Sequence, residues 1–84
     1  MVLYSRRRCE LCDEARKVLL AARPAHPFRF DEVFIDGDDG LEGRYGVRVP
    51  VVEIDGAERF EYLVDPRRLR ALLRADRAGR RTSP

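Results

Sequence analysis

The spacing of apolar positions predicts a strand, a helix and a second strand in the first part of the chain. Residues 1–5 are mostly apolar with little alternation, which is typical of a central, buried strand. From Glu10 the apolar positions recur with helical spacing as far as Pro24 and Pro27, which end the helix. Residues 28–36 are rich in aromatic and β-branched side chains and predict the next strand. Since a helix connects the two strands, they should be parallel, with a right-handed crossover.

Capping residues indicate two further helices. Asp38 or Asp39 suits the N-cap of a short helix, and Gly46 suits its C-terminal end. Asp65 and Pro66 suit the N-cap and the first turn of a final helix, in which leucines recur at helical spacing. Each helix would therefore present an apolar stripe to the rest of the fold.

A β-hairpin is predicted between these two helices. Residues 47–54 and 57–63 have the composition of strands, and Asp55-Gly56 between them is typical of a tight two-residue turn. The predicted order of elements is therefore β-α-β-α-β-β-α. This order predicts an α/β fold with one mixed four-stranded sheet and helices on both of its faces.

Length and charge restrict the classes of protein that remain. The chain of 84 residues is enough for one domain, which we expect over residues 1–77, and the tail 78–84 is expected to be disordered because it lacks apolar periodicity. The 17 basic and 15 acidic residues are interleaved, which argues against a nucleic-acid-binding face. No apolar run approaches the roughly 18 residues of a membrane span, and no signal-like segment is present. We therefore expect a cytoplasmic monomer with neither a membrane nor a nucleic acid as partner.

The chemistry of the chain is concentrated in its two cysteines, Cys9 and Cys12, which lie between the first strand and the first helix. A disulfide that closes so small a loop adds little stability, and a secreted disulfide-rich domain would usually carry more cysteines. The spacing therefore indicates a dithiol redox site. The helix N-terminus and the arginines at 6–8 would stabilise a thiolate at Cys9, whereas Glu10, Asp13 and Glu14 would oppose that effect.

Other uses of a cysteine pair remain open at this point. A zinc site needs about four ligands, and His26, which we expect to face solvent, is the single histidine, so a second copy of the chain would have to contribute. An iron–sulfur cluster shared by a dimer has the same requirement. A fold does not fix a function, so the chain could also be a redox-inert module that holds a partner peptide.

Residues 4–15, with Cys-x-x-Cys at a helix N-terminus, and residues 45–51, with Val-Pro at the head of a hairpin, resemble the thioredoxin fold in its shortest form. They are especially like a small bacterial glutaredoxin-like family, and the resemblance covers about residues 1–76. It implies that Cys9 is the exposed nucleophile and that Cys12 is the resolving thiol. It also implies that Pro50 is a cis-proline that faces the disulfide.

The same resemblance implies a set of substrate-binding residues. The backbone of Val49, beside Pro50, would pair with a substrate peptide or with glutathione. Arg6 occupies the place, three residues before the nucleophile, where glutaredoxins often carry a lysine for the glutathione carboxylate. Asp65 keeps the capping position of the last helix and completes the set.

Two departures from the glutaredoxin pattern are visible in the sequence. Glu10 and Leu11 stand between the cysteines where proline and tyrosine are common, and Leu63-Val64 replaces a Gly-Gly pair before the last helix. The resemblance implies a thiol–disulfide oxidoreductase without a bound cofactor. Its substrate would be a protein or low-molecular-weight disulfide, and its electron donor would be glutathione or a reductase of the thioredoxin-reductase type.

Overall fold

Helices and strands follow one another in the order that the sequence predicts. A computed structural model describes the backbone of residues 1–82 and the side chains of residues 1–75. The elements are β1 (Val2–Ser5), α1 (Glu10–Ala22), β2 (Asp31–Phe34), α2 (Asp39–Tyr45), β3 (Val51–Ile54), β4 (Ala57–Glu61) and α3 (Pro66–Thr82).

The four strands form one mixed sheet in the order β2-β1-β3-β4. As predicted, β1 is central and parallel to β2, while it runs antiparallel to β3, which pairs with β4 in an antiparallel hairpin. The register joins Ser5 to Phe34, Tyr4 to Val51, and Val51 to Glu61. Four segments therefore meet at one end of the strands, namely those after β1, β2 and β4 and the one before β3. We call this end of the sheet the Ser5 edge.

Helices cover both faces of the sheet, as the sequence predicts. Because successive side chains of a strand point to opposite faces, neighbours on β1 enter different cores. Leu3 packs with α1 and α3, and its core includes Leu19 and Leu69. Tyr4 packs on the opposite face, against the smaller core that contains Tyr45 of α2.

Three strands are shorter than their sequence pattern. β4 ends at Glu61 instead of residue 63, and β2 and β3 lose more residues. Residues 28–36 predict a strand, but β2 pairs with β1 only from Asp31 to Phe34, because β1 itself has four residues. Residues 47–54 predict another strand, but β3 begins at Val51. Pro50 has no N–H to donate to a neighbouring strand. Both segments have the composition of a strand, but the four residues of β1 limit the length of β2, and Pro50 sets the start of β3.

Turn and cap residues explain where the chain reverses. Asp55 and Gly56 have φ angles of 52° and 81°, the pair of positive angles that a tight hairpin turn requires. The side chain of Asp38 caps α2 by accepting a hydrogen bond of 3.0 Å from the amide of Leu41. Gly46 ends α2 with φ −47°, so positive φ does not explain this glycine. Its reason is space, because a Cβ there would collide with the carbonyl oxygen of Glu42.

The last helix continues to Thr82, beyond residue 77, where the sequence predicts that order ends. Ala78, Arg80 and Arg81 in this added turn favour a helix without needing a buried stripe, whereas Gly79 and Thr82 do not. The part of the predicted tail at residues 83 and 84 lies outside the described residues. Across residues 1–82, no helix is long and apolar enough to span a membrane.

Candidate dithiol site

Cys9 and Cys12 are joined as a disulfide at the N-terminus of α1, with their Cα atoms 5.2 Å apart. Cys9 is the N-cap residue, and its extended backbone lets its sulfur accept a hydrogen bond of 3.1 Å from the amide of Cys12. Its carbonyl oxygen accepts a second bond of 3.0 Å from the amide of Asp13. The Cys9 sulfur therefore lies where unpaired helix amides can stabilise negative charge once the disulfide is reduced.

The two sulfurs differ in their access to solvent. Cys12 is fully buried, whereas Cys9 is partly exposed. Leu11, between them, is an exposed apolar side chain. Of the two cysteines, Cys9 is therefore the one that is open to solvent.

The arginines before Cys9 are bound to other parts of the fold. Arg6 donates to a carboxylate oxygen of Glu42 at 2.7 Å and to the carbonyl oxygen of Gly46 at 3.2 Å, and lies 3.8 Å from Asp36. The guanidinium of Arg7 lies 5.7 Å from the ring centre of Phe34. Two of the three arginines thus tie the cysteine loop to α2 and to the end of β2.

The segment before β3 lies at the same edge of the sheet as the cysteine loop. The Val49–Pro50 peptide bond is cis, and the Pro50 ring is fully buried. Since Val51 pairs with Tyr4, Pro50 lies opposite Ser5 and Val49 follows towards the loop that carries Cys9. Within the described part of the chain, the amide and carbonyl of Val49 make no hydrogen bond.

Tyr62 lies beside Pro50 at the candidate site, although the sequence does not identify it as a candidate residue. Its amide donates to the carbonyl oxygen of Pro50 at 2.9 Å, and the amide of Leu63 reaches back to Glu61 at 2.8 Å. Tyr62 is the centre of this three-residue turn and has φ 68°, a strained value for a bulky residue. The hairpin register alone would not have found it, because the Asp55-Gly56 turn by itself places Glu61 opposite Pro50. A bulge between Val52 and Glu53 shifts the register by one residue and brings Tyr62 there.

Asp65 has the capping role that the sequence predicts. Its carboxylate accepts from the amide of Arg67 at 2.9 Å, and its carbonyl oxygen accepts from the amide of Leu69 at 2.9 Å. These bonds place Asp65 at the start of α3. The Ser5 edge thus brings together Arg6, Cys9, Val49 and Pro50 of the predicted set, while Asp65 acts in the cap.

The comparisons with known proteins agree with this geometry. A family model described as Glutaredoxin-like domain (DUF836) matches residues 1–74. The chain belongs to this family. An uncharacterized protein of Mycobacterium tuberculosis is 36% identical over 76 residues, which cover 82% of this chain and 76% of that protein.

Solved structures show that this glutaredoxin-like chain has the thioredoxin-like fold that its sequence predicts. The X-ray structure of target protein XcR50 from X. campestris is 45% identical and has a TM-score of 0.75, covering 88% of this chain and 95% of that one. The solution structure of protein Ne2328 from Nitrosomonas europaea is 30% identical and has a TM-score of 0.72, covering 84% and 86%.

A polar cluster lies under the cysteine loop of this glutaredoxin-like domain. Ser5 is fully buried, and its hydroxyl donates to Glu32 at 2.7 Å. Arg16 donates through Nε and a terminal nitrogen to both oxygens of the same carboxylate. The hydrogen bonds from Arg16 hold the pKa of Glu32 below its usual value, against the opposing effect of burial. The cluster therefore joins α1 to β1 and β2 with its carboxylate ionised.

His26 lies far from the cysteines within one chain. It follows α1, which has 13 residues and so separates its two ends by roughly 20 Å. The expectation that it faces solvent is wrong, because it is partly buried and its Nδ1 is buried without a hydrogen-bond partner among the described residues. The same residues contain no group of three or more His, Cys, Asp or Glu side chains placed to hold a metal ion.

Proposed function

We propose that the protein is a thiol–disulfide oxidoreductase that works through Cys9 and Cys12. The observation that carries this proposal is the pairing of one reachable sulfur and one buried sulfur at a helix N-terminus. This arrangement matches the unequal tasks of an attacking and a resolving thiol. Membership of the glutaredoxin-like family supports the same chemistry.

The reaction proceeds in two exchange steps. The Cys9 thiolate attacks one sulfur of a substrate disulfide, forms a mixed disulfide and releases the first substrate thiolate, which takes up a proton. The Cys12 thiolate then attacks the Cys9 sulfur and releases the second substrate thiolate. Two electrons have then moved to the substrate, and the Cys9–Cys12 disulfide is formed. A thiol donor, either glutathione or a reductase dithiol, returns the two electrons by the reverse exchange.

Neighbouring groups support each step. The amide of Cys12 that donates to the Cys9 sulfur stays in place to stabilise the thiolate. The amide and carbonyl of Val49 are available to an extended substrate beside Pro50. No bound cofactor is needed, because both electrons are carried by the two sulfurs.

Matched serine variants test this division of roles. Reduced Cys12→Ser should form a stable mixed disulfide with a disulfide-bonded probe such as oxidised glutathione, because no second thiol resolves it. Cys9→Ser should form a mixed disulfide much more slowly, because its remaining thiol, that of Cys12, is buried. Mass spectrometry of the trapped species measures both outcomes. Equal trapping by the two variants would refute the assignment of roles.

A redox-inert binding module is the second candidate, and the open backbone of Val49 is the observation that favours it. This candidate predicts that the Cys9–Cys12 disulfide does not equilibrate with a glutathione redox buffer. The oxidoreductase predicts an equilibrium that shifts with the ratio of thiol to disulfide. Gel shifts after thiol alkylation distinguish the two.

A further inference from the structure

We propose that the preferred substrate is an extended protein segment with an apolar side chain beside its cysteine, and that glutathione disulfide is a poor substrate. This inference rests on the proposed function and adds a substrate class to it. Three features of the Ser5 edge support it: its exposed apolar side chains, its open backbone and the pairing of its cations.

Exposed apolar side chains are concentrated at this edge. Among the described residues, the large apolar side chains that remain exposed are Leu11, Leu20, Phe34, Val47, Tyr62 and Leu63. Val47, Tyr62 and Leu63 belong to the segments that meet at the Ser5 edge. Phe34 is the last residue of β2, and Leu11 lies in the first turn of α1 beside the cysteines, whereas Leu20 lies towards the other end of α1. Val47 is 87% exposed and Leu63 is 67% exposed, so both would gain substantially from contact with an apolar partner.

The backbone at this edge suits an extended chain. Val49 offers an amide and a carbonyl that no described residue uses, next to the buried ring of Pro50. A peptide strand can pair with such groups, and its alternate side chains then contact the surface on either side. Tyr62, bound to the Pro50 carbonyl, and Leu63 lie on one side of this position, and Leu11 follows Cys9 on the other.

Two of the four arginines at the edge already bind carboxylates. Glutathione carries two carboxylates, which need positive partners. Arg6 already binds Glu42 and lies near Asp36, and Arg48 binds Glu58 at 2.8 Å and lies 3.5 Å from Glu61. Arg7 and Arg8 are exposed, but the Arg7 guanidinium already lies 5.7 Å from the ring centre of Phe34. Arg8 alone can hold only one of the two carboxylates. The edge therefore offers more contacts to an apolar peptide than to the two carboxylates of glutathione.

Single-turnover kinetics with three disulfides test the preference. The probes are oxidised glutathione, a disulfide-linked peptide with leucine on both sides of its cysteine, and the same peptide with serine in place of leucine. Each rate is divided by the rate of the same probe with dithiothreitol, which removes differences in intrinsic reactivity. We expect the leucine peptide to react about tenfold faster than either other probe, as partial burial of two apolar side chains would give.

Variants locate the preference on the surface. Leu63→Ser should lower the normalised rate of the leucine peptide by about three- to tenfold and leave that of glutathione disulfide unchanged. Leu20→Ser is the matched control, because it removes an exposed leucine from α1 and should change neither rate. Tyr62→Asn is a second variant, since asparagine tolerates positive φ, and it should act like Leu63→Ser.

The outcomes separate this inference from the proposed function. Equal normalised rates for all three probes, or equal effects of Leu63→Ser and Leu20→Ser, would overturn the preference while the oxidoreductase stands. Failure of the reduced protein to react with any probe would overturn the oxidoreductase and the preference with it. A rate for glutathione disulfide above that of the leucine peptide would assign the site to glutathione.

Discussion

Replacing Glu32 with glutamine should destabilise the fold through the buried polar cluster. The Glu32 side chain is 15% exposed and accepts from Ser5 and from two nitrogens of Arg16. A glutamine side chain keeps one acceptor oxygen and presents an NH2 group to a donor. Bonds to a charged group contribute about 1.5–3 kcal/mol each, and an unsatisfied buried donor costs about 1–3 kcal/mol. Because Arg16 keeps Asp13 as a partner, we expect a net loss of about 2–3 kcal/mol.

The loss should depend on pH in a defined direction. The pKa of Glu32 is lowered from its ordinary value of 4.5, chiefly by the hydrogen bonds from Arg16. A lowered folded-state pKa gives stability that is present above about pH 4.5 and is lost as pH falls through the folded-state pKa. The free-energy difference between the wild type and Glu32→Gln should therefore shrink below about pH 4.5.

Urea unfolding followed by circular dichroism at pH 7 and pH 3 measures this difference. Glu14→Gln is the control, because Glu14 forms an exposed pair with Lys17 and such pairs contribute at most about 1 kcal/mol. In thermal unfolding of the same variants at pH 7, the midpoint temperature of Glu32→Gln should be lower by roughly 10–20 °C. The reasoning is refuted if both variants unfold at the same urea concentration, or if the loss in Glu32→Gln is equally large at pH 3.

Two further predictions concern the face covered by α2. Burial raises the pKa of Tyr45 from its ordinary 10.0 to about 12, and the neighbouring Tyr4 adds to the effect. Because the folded state then keeps this proton to a higher pH than the unfolded state does, stability should fall as pH rises from 10.0 towards 12. In urea unfolding measured across this pH range, Tyr45→Phe should lose less stability than the wild type. The same pH dependence in both proteins would contradict the assignment of this loss to Tyr45. Gly46→Ala should lower the free energy of unfolding by about 1–3 kcal/mol, because its Cβ collides with the Glu42 carbonyl oxygen. Gly43→Ala, whose Cβ meets no described atom within 4 Å, should be neutral or stabilising by up to about 1 kcal/mol, and equal losses in both alanine variants would refute the steric argument.

The order of elements was predictable because it depends on local signals. Helical spacing, the Asp38 cap and the Asp55-Gly56 turn each act over a few residues, and each appears where the pattern places it. Strand length was not predictable, since β2 is limited by the four residues of β1. The end of α3 was also missed, because alanine and arginine sustain a helix without an apolar pattern.

The candidate site likewise has residues that the sequence predicts and contacts that it does not. The cysteines and Pro50 stand out because their residue types are themselves the chemical signal. The partners of Arg6 come from positions about 30 to 40 residues away, so no local pattern indicates them. Tyr62 adopts a positive φ that its residue type does not favour, and a tertiary hydrogen bond to Pro50 accompanies it.

Arg6 shows how such distant contacts change the chemistry of a site. The sequence resemblance assigns it to a glutathione carboxylate, but its guanidinium binds Glu42 and the Gly46 carbonyl at the C-terminal end of α2. A helix C-terminus attracts positive charge, and a carboxylate one turn earlier adds to that attraction. A ligand carboxylate at Arg6 would share the guanidinium with Glu42 and Asp36, which already compensate its charge, so the added ion pair would bring a smaller net gain. Arg6 therefore fixes the cysteine loop against the segment that leads to Pro50, and the proposed preference for an apolar peptide depends on the exposed apolar side chains and the open backbone of the Ser5 edge.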